Sequence, residues 1–189
     1  LQRGNEIVAS VERKNRETGF FSDQMSFSFR VFVPKEVSSE LKTLAGDISL
    51  EEVCGMQSLK TGGGNITIRN TKGRIEAYTS GGNLDIRHSN GVIYAQTQGG
   101  NISMDQNSGE IRLRSNGGRI TSERTSGTML AKVGAGDIWV DFDDVGEGIS
   151  LETSSGNIHL DIPEQHGYNL MLKGSNVEFS DREQLTGNV

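Results

Sequence analysis

The chain has 189 residues, a net charge of −6 and a hydrophobic fraction of 33%. This charge argues against nucleic acid as a partner, because nucleic acid binding requires a basic surface. The single cysteine, Cys54, excludes an internal disulfide, and no run of 18 apolar residues exists that would span a membrane. The low apolar content predicts a thin core built from regularly spaced side chains.

The first 36 residues are predicted to form two strands that cap the domain. Residues 6–13 and 25–33 alternate between apolar and polar side chains, which is the period of a strand. Pro34 ends the second strand because proline cannot donate a ladder hydrogen bond. Four of the seven phenylalanines lie between Phe20 and Phe29. Such large side chains suit a β-hairpin that covers the first coil of the repeat that follows.

From residue 37 to residue 180 the chain repeats a unit that is clearest in residues 79–86, TSGGNLDI. The equivalent glycines are Gly46, Gly64, Gly82, Gly100, Gly118, Gly136 and Gly156, which are eighteen residues apart five times and then twenty. Each unit contains two stretches whose apolar residues are two positions apart, as in a strand. The sequence therefore predicts an all-β, single-domain parallel β-solenoid with about 18 residues and two strands per coil.

Three sets of equivalent positions are predicted to form columns along the solenoid. Apolar pairs such as Ile66/Ile68 and Ile75/Ala77 fill a narrow interior, and a column of small hydroxyl or β-branched residues that includes Thr79 follows them. Glycine doublets make the corners. After the doublets comes a column of asparagine and aspartate, including Asn83, whose side chains are expected to hydrogen-bond along the axis.

An antiparallel β-sandwich is the alternative architecture, because it also has short strands every 9–12 residues. The constant repeat length favours the solenoid. The register breaks in residues 142–148, FDDVGEG, where two extra residues are inserted. Strands at residues 168–172 and 177–179 are predicted to complete the stack, and residues 181–189 form a polar tail.

Calcium is the one metal that the sequence suggests. Asp141, Asp143, Asp144 and Glu147 lie close together in the insertion, and carboxylate oxygens are ligands that Ca²⁺ prefers. Their order matches no calcium loop, and the repeat lacks the aspartate column of the calcium-binding β-roll. A solvated acidic bulge is the simpler interpretation, so we expect no cofactor.

Acidic residues are also predicted on the outer face of the first strand of each coil. They are Asp85, Asp105, Glu123, Asp141 and Asp161. Two carboxylates at a suitable separation can hydrolyse a glycoside. However, Arg69 and Arg87 are placed at the other end of this face, we expect no lysine or arginine among the acidic residues themselves, and nothing predicts a raised pKa. Ordinary solvent-facing charges are the preferred interpretation, and no catalytic residue is predicted.

The histidines and the cysteine suggest no site. His88, His159 and His166 share no metal-ligand spacing, and Cys54 has no histidine near it in sequence.

Exposed aromatic residues are the remaining candidates for partner binding. The strand period places Trp139 on the outside between Thr121 and His159, and it places Tyr78 and Tyr94 on the outside of the opposite sheet. Flat aromatic rings on a rigid surface can stack on sugars or anchor a partner protein.

The pattern T-S-G-G-N-I-x-I, alternating with G-x-I-x-A and preceded by V-x-V-P, resembles a bacterial adhesin family of glycine-rich β-solenoid domains of unknown function. Residues 61–68, 79–86, 97–104 and 153–160 carry the resemblance, together with residues 31–34. It extends over residues 31–172. The resemblance implies export or attachment to the envelope, and it supplies no catalytic or ligand-binding residues.

We therefore expect a non-enzymatic domain of the bacterial cell envelope or surface, an adhesin or a scaffold. Its location would be extracytoplasmic, in the periplasm or on the cell surface, with an export signal already removed. The alternative is a carbohydrate-binding or carbohydrate-active β-helix that uses the acidic or aromatic outer face. The partner is expected to be a glycan or a protein.

Overall fold

The computed structural model describes residues 2–3, 6–7, 28–164 and 169–181. The chain divides into two compact units, Leu1–Phe32 and Val33–Val189. In the first unit, β1 (Gln2–Arg3) pairs in antiparallel fashion with β2 (Glu6–Ile7). The predicted cap lies mostly outside the described residues. Residues 28–33 contain no strand, so the prediction of a strand through residues 25–33 is wrong over that part.

The second unit contains one sheet, in which fourteen described strands are joined by parallel pairing. These strands are β3 (Ser39–Thr43), β4 (Ile48–Glu51), β5 (Cys54–Thr61), β6 (Ile66–Arg69), β7 (Lys72–Thr79), β8 (Leu84–Arg87), β9 (Asn90–Thr97), β10 (Ile102–Asp105), β11 (Ser108–Ser115), β12 (Ile120–Ala135), β13 (Ile138–Ser155), β14 (Asn157–Ile162), β15 (Leu170–Lys173) and β16 (Asn176–Asp181). The described residues include no helix that is long and apolar enough to cross a membrane.

The strand register is that of a β-solenoid. Ile66 pairs with Leu84, and Ile75 pairs with Ile93, so each residue lies beside the one eighteen positions later. This offset holds for every parallel pair from β3 to β12. It confirms the predicted solenoid and excludes the sandwich, whose strands would be antiparallel.

The predicted apolar columns fill the interior. Ile66, Ile75 and Ile93 have no solvent exposure, and Ala77 is 3% exposed. Burial of each such aliphatic side chain contributes about 1.5–3 kcal/mol, so stacking many coils stabilises a core that one coil cannot form.

The buried column of hydroxyl residues links neighbouring coils through hydrogen bonds. Thr79 Oγ1 donates to the carbonyl of Gly64 in the preceding coil (2.8 Å) and accepts from the N–H of Gly82 in its own corner (3.1 Å). Thr97 makes the same two contacts one coil later. A hydroxyl group suits this position because it donates and accepts at once.

The asparagine and aspartate column links successive coils, as predicted. Asn65 Oδ1 accepts the N–H of Asn83, and Asn83 Oδ1 accepts the N–H of Asn101 at 2.8 Å. The side chain therefore satisfies a backbone donor at the turn, where the strand ladder has ended. This observation assigns the column a structural role.

The insertion in residues 142–148 lies within β13. Gly127 pairs with Val145 and Met129 pairs with Ile149, so β13 has three residues between these pairs where β12 has one. The two extra residues of β13 therefore form a bulge. The predicted final strands correspond to β15 and β16, which pair with β13 and β14.

Candidate functional site

The interior is filled, so the candidate sites lie on the two outer surfaces of the solenoid. We call the outer surface of β6, β8, β10 and β14, together with residues 120–123 of β12 and 138–141 of β13, the first face. The outer surface of β5, β7, β9, β11 and β15, together with residues 126–133 of β12 and 149–153 of β13, is the second face. Strand alternation sends every second side chain outward, and these outward residues align from coil to coil.

Trp139 is the most prominent aromatic residue of the first face. Its side chain is 53% exposed, and it lies in register between Thr121 and His159, as predicted. The indole and the His159 imidazole make an edge-to-face contact, with ring centroids 5.6 Å apart and planes at 84°. His159 Nδ1 in turn lies 3.4 Å from a carboxylate oxygen of Glu178. One neighbouring ring thus orients the indole while much of it stays in solvent.

The predicted acidic residues of the first face are partly neutralised. Asp85 Oδ1 accepts from Arg87 Nε at 2.8 Å, and Asp105 pairs with Arg124. The expectation that no arginine lies among these carboxylates is therefore wrong. Arg124 was missed because it stands in a left-handed turn (φ 49°) that brings it back to Asp105 of the preceding coil.

The remaining carboxylates of this surface extend toward the C-terminal end. Asp141 pairs in register with Asp161, next to the column of Trp139 and His159. Negative charge therefore borders the indole on one side. This arrangement can attract a cation.

The insertion separates its apolar residues from its acidic ones. Phe142 is fully buried and Val145 is 8% exposed, so these two side chains anchor the bulge in the core. Asp143, Asp144 and Glu147 are exposed. Among the described residues, no three His, Cys, Asp or Glu side chains come together as a metal site. The structure thus does not assemble the proposed calcium ligands.

Tyr94 of the second face is enclosed by cations. The guanidinium carbon of Arg74 lies 4.9 Å from the ring centroid, and that of Arg112 lies 5.3 Å from it. These arginines come from the coils before and after, and Glu76 and Glu110 hold them by ion pairs. The ring therefore already has partners, which reduces its value as a sugar-stacking surface.

Tyr78 is also engaged at its polar end. Its hydroxyl oxygen accepts a hydrogen bond from Gln98 Nε2 at 2.9 Å and lies 3.4 Å from Ser80 Oγ. The side chain is half-buried, and it lies in register between Lys60 and Gln96. These contacts position the ring within the surface rather than leave it projecting.

A group of cations that was not predicted from the sequence lies next to Tyr94. Arg112, Arg114 and Lys132 line a shallow depression of about 320 Å³ together with Tyr94 and Leu130. We call these three cations the second-face cation cluster. Arg114 and Lys132 are far apart in the sequence, but they differ by the repeat length and are therefore neighbours in the sheet. Arranging the sequence in rows of eighteen would have revealed the cluster.

Among the described residues, neither His88 nor Cys54 belongs to a group of side chains that could hold a metal ion. His88 adopts a left-handed conformation (φ 52°) at a turn, and Cys54 is a half-buried free thiol at the start of β5 rather than in a turn. His166 lies outside the described residues.

The parallel stack and its aligned outer columns define a β-solenoid repeat protein. The sequence model of the Toastrack DUF4097 family matches residues 10–186. The chain therefore belongs to the Toastrack family, whose domain has no assigned function. No curated protein and no solved structure matches the chain.

Proposed function

We propose that this domain is a non-enzymatic module of the bacterial cell envelope or surface, acting as an adhesin or scaffold that presents flat outer faces to a partner. The supporting observation is the exposure of large apolar side chains on a sheet whose inner side is already filled. Trp139, Met56 and Met171 are 53%, 58% and 68% exposed. Exposed apolar side chains on a rigid surface are typical of interaction sites.

The extracytoplasmic location is tested with the tagged protein expressed from its native gene. We expect the tag to enter the envelope fraction and to be cut by protease added to intact cells or to cells with a permeabilised outer layer. A cytoplasmic protein measured in the same samples is the control. Recovery of the tag with that control would refute the proposed location.

A second candidate function is glycan binding at Trp139. It is favoured by the indole, which is half-exposed and held in place by the edge of a neighbouring ring, as a sugar-stacking residue requires. A glycan array should then show binding that the Trp139→Ala variant loses and the Met56→Ala variant keeps. Equal loss in both variants would remove Trp139 as the site. Release of reducing sugar by the wild-type protein would overturn the non-enzymatic proposal.

A further inference from the structure

The second-face cation cluster brings three cations together around one shallow depression. Arg114 lies directly beside Lys132 in the strand register, and Arg112 precedes Arg114 by two residues on the same face. The whole chain carries a net charge of −6, so a local concentration of cations is not a consequence of composition. Like charges opposite each other on neighbouring strands destabilise a sheet. The arrangement therefore has a cost that the fold does not require.

Among the residues that the structure describes, the outward positions next to Arg114 include no acid. The outward positions around it hold Gln96 and Lys132 on the adjacent coils and Arg112 and Asn116 along its own chain. All four are neutral or cationic. The guanidinium is exposed and offers its donors to solvent.

The other two cations have carboxylate partners on the side away from Arg114. Arg112 pairs with Glu110 at 2.6 Å, and Lys132 pairs with Glu152 at 2.8 Å. The hydrogen bond and charge of Lys132 hold the pKa of Glu152 below its usual value, so this carboxylate stays ionised. These pairs fix the two flanking cations in place, whereas no described carboxylate pairs with Arg114.

The shape of the surface indicates an extended ligand. The depression is shallow, whereas sites for small molecules bury most of the ligand in a cleft. It shares Arg112 and Leu130 with a second groove, which Glu110 and Glu147 also line and which continues along the axis to Ser150 and Met171. Gln96 adds a neutral amide at the other end. A chain with acidic groups and hydroxyls along its length can use both the cations and the amide.

We propose that the second-face cation cluster binds an acidic polysaccharide, with a carboxylate of the sugar chain on Arg114 and flanking contacts from Arg112 and Lys132. The inference goes beyond the proposed function, because it names a ligand class and uses the surface opposite Trp139. It holds whether or not the Trp139 surface binds a glycan.

Binding of polygalacturonate to the purified protein by isothermal titration calorimetry tests the proposal. We expect saturable binding that weakens as salt rises, because charge pairs at a surface are screened. The Arg114→Gln/Lys132→Gln double variant should bind at least about tenfold more weakly, as loss of charge-assisted hydrogen bonds implies. Arg69→Gln/Lys72→Gln is the matched control, since it removes the same charge from exposed positions elsewhere. It should bind as the wild type does.

Three results would overturn the proposal. The first is the absence of binding by the wild-type protein at low salt. The second is equal weakening by the control variant, which would indicate attraction to overall charge. The third is binding of polyglutamate as tight as that of polygalacturonate, which would indicate an acidic protein partner. Circular dichroism spectra of all variants should match, since the substituted side chains are exposed.

Discussion

The corner glycines allow a sharp test of the stacking geometry, because neighbouring glycines differ in the space around them. A Cβ atom added to Gly100 would lie 1.9 Å from the carbonyl oxygen of Gly82, where real Cβ contacts rarely fall below 3.0 Å. At Gly99 the nearest atom is the Ser80 carbonyl oxygen, at 3.8 Å. Neither glycine has a left-handed backbone, so the difference between the two sites is steric.

The magnitude follows from the contacts at that corner. Relief of the overlap needs a shift of about 1 Å between coils, from 1.9 Å to 3.0 Å. Gly100 N–H donates to Thr97 Oγ1, Thr97 Oγ1 donates to the Gly82 carbonyl, and Asn101 N–H donates to Asn83 Oδ1. Each hydrogen bond contributes about 0.5–1.5 kcal/mol. Disrupting all three should lower the free energy of unfolding by about 1.5–4.5 kcal/mol.

Urea unfolding followed by far-UV circular dichroism measures this difference. The Gly100→Ala variant should unfold at a clearly lower urea concentration than the wild type. Gly99→Ala should match the wild type or exceed it by up to about 1 kcal/mol, because alanine restricts the unfolded chain. Equal midpoints for the two variants would refute the close approach of the coils at this corner.

Three further predictions test the core and the corner charges. Ile102→Asp should lower the free energy of unfolding by more than about 4 kcal/mol, because it buries an unpaired charge, and an almost unchanged melting temperature would mean that Ile102 does not point inward. Ser122→Ala should cost about 1–3 kcal/mol in urea unfolding, because it leaves the buried Thr125 hydroxyl without its 2.7 Å partner. The double variant Ser122→Ala/Thr125→Val should recover most of that loss, and a further decrease would contradict the pairing. The N–H of Asn157 and the guanidinium of Arg119 lower the pKa of Asp137, so Asp137 stabilises the fold above about pH 4 and loses this effect as the pH falls through its folded pKa. The stability difference between wild type and Asp137→Asn should therefore shrink between pH 7 and pH 3 in urea titrations, and a constant difference would exclude the charge as its cause.

The interior could be predicted because every coil needs an apolar side chain at the same inward positions. Ile66, Ile75 and Leu84 recur at fixed steps, and a step of two within a strand leaves only one face for them. The same reasoning placed Trp139 between Thr121 and His159, which the register confirms. Because the repeat length is constant, residues eighteen positions apart are neighbours in space. Contacts between coils can therefore be predicted from the sequence.

The parts that sequence reasoning missed depend on the paths of side chains at corners. Ser122 occupies a position that is apolar in the neighbouring coils, and its buried hydroxyl pairs with that of Thr125. Arg124 pairs with Asp105 of the preceding coil from a position whose backbone is left-handed, a conformation that an arginine in the sequence does not predict. The enclosure of Tyr94 by Arg74 and Arg112 likewise requires side-chain reach along two diagonals.

The stack and the outward surface are built from different positions of each coil, so the residues of one can vary without changing the other. Coils are joined by backbone pairs, by corner hydroxyls such as Thr97 and by ladder amides such as Asn83, and none of these uses the outward positions of a strand. Replacing an outward residue such as Arg114 or Trp139 therefore changes one point of an array while the stack stays intact. Neighbouring outward side chains along the axis are about 4.8 Å apart, so one side chain offers a partner only a small contact area. Affinity must then come from several coils at once, which favours ligands that extend along the axis.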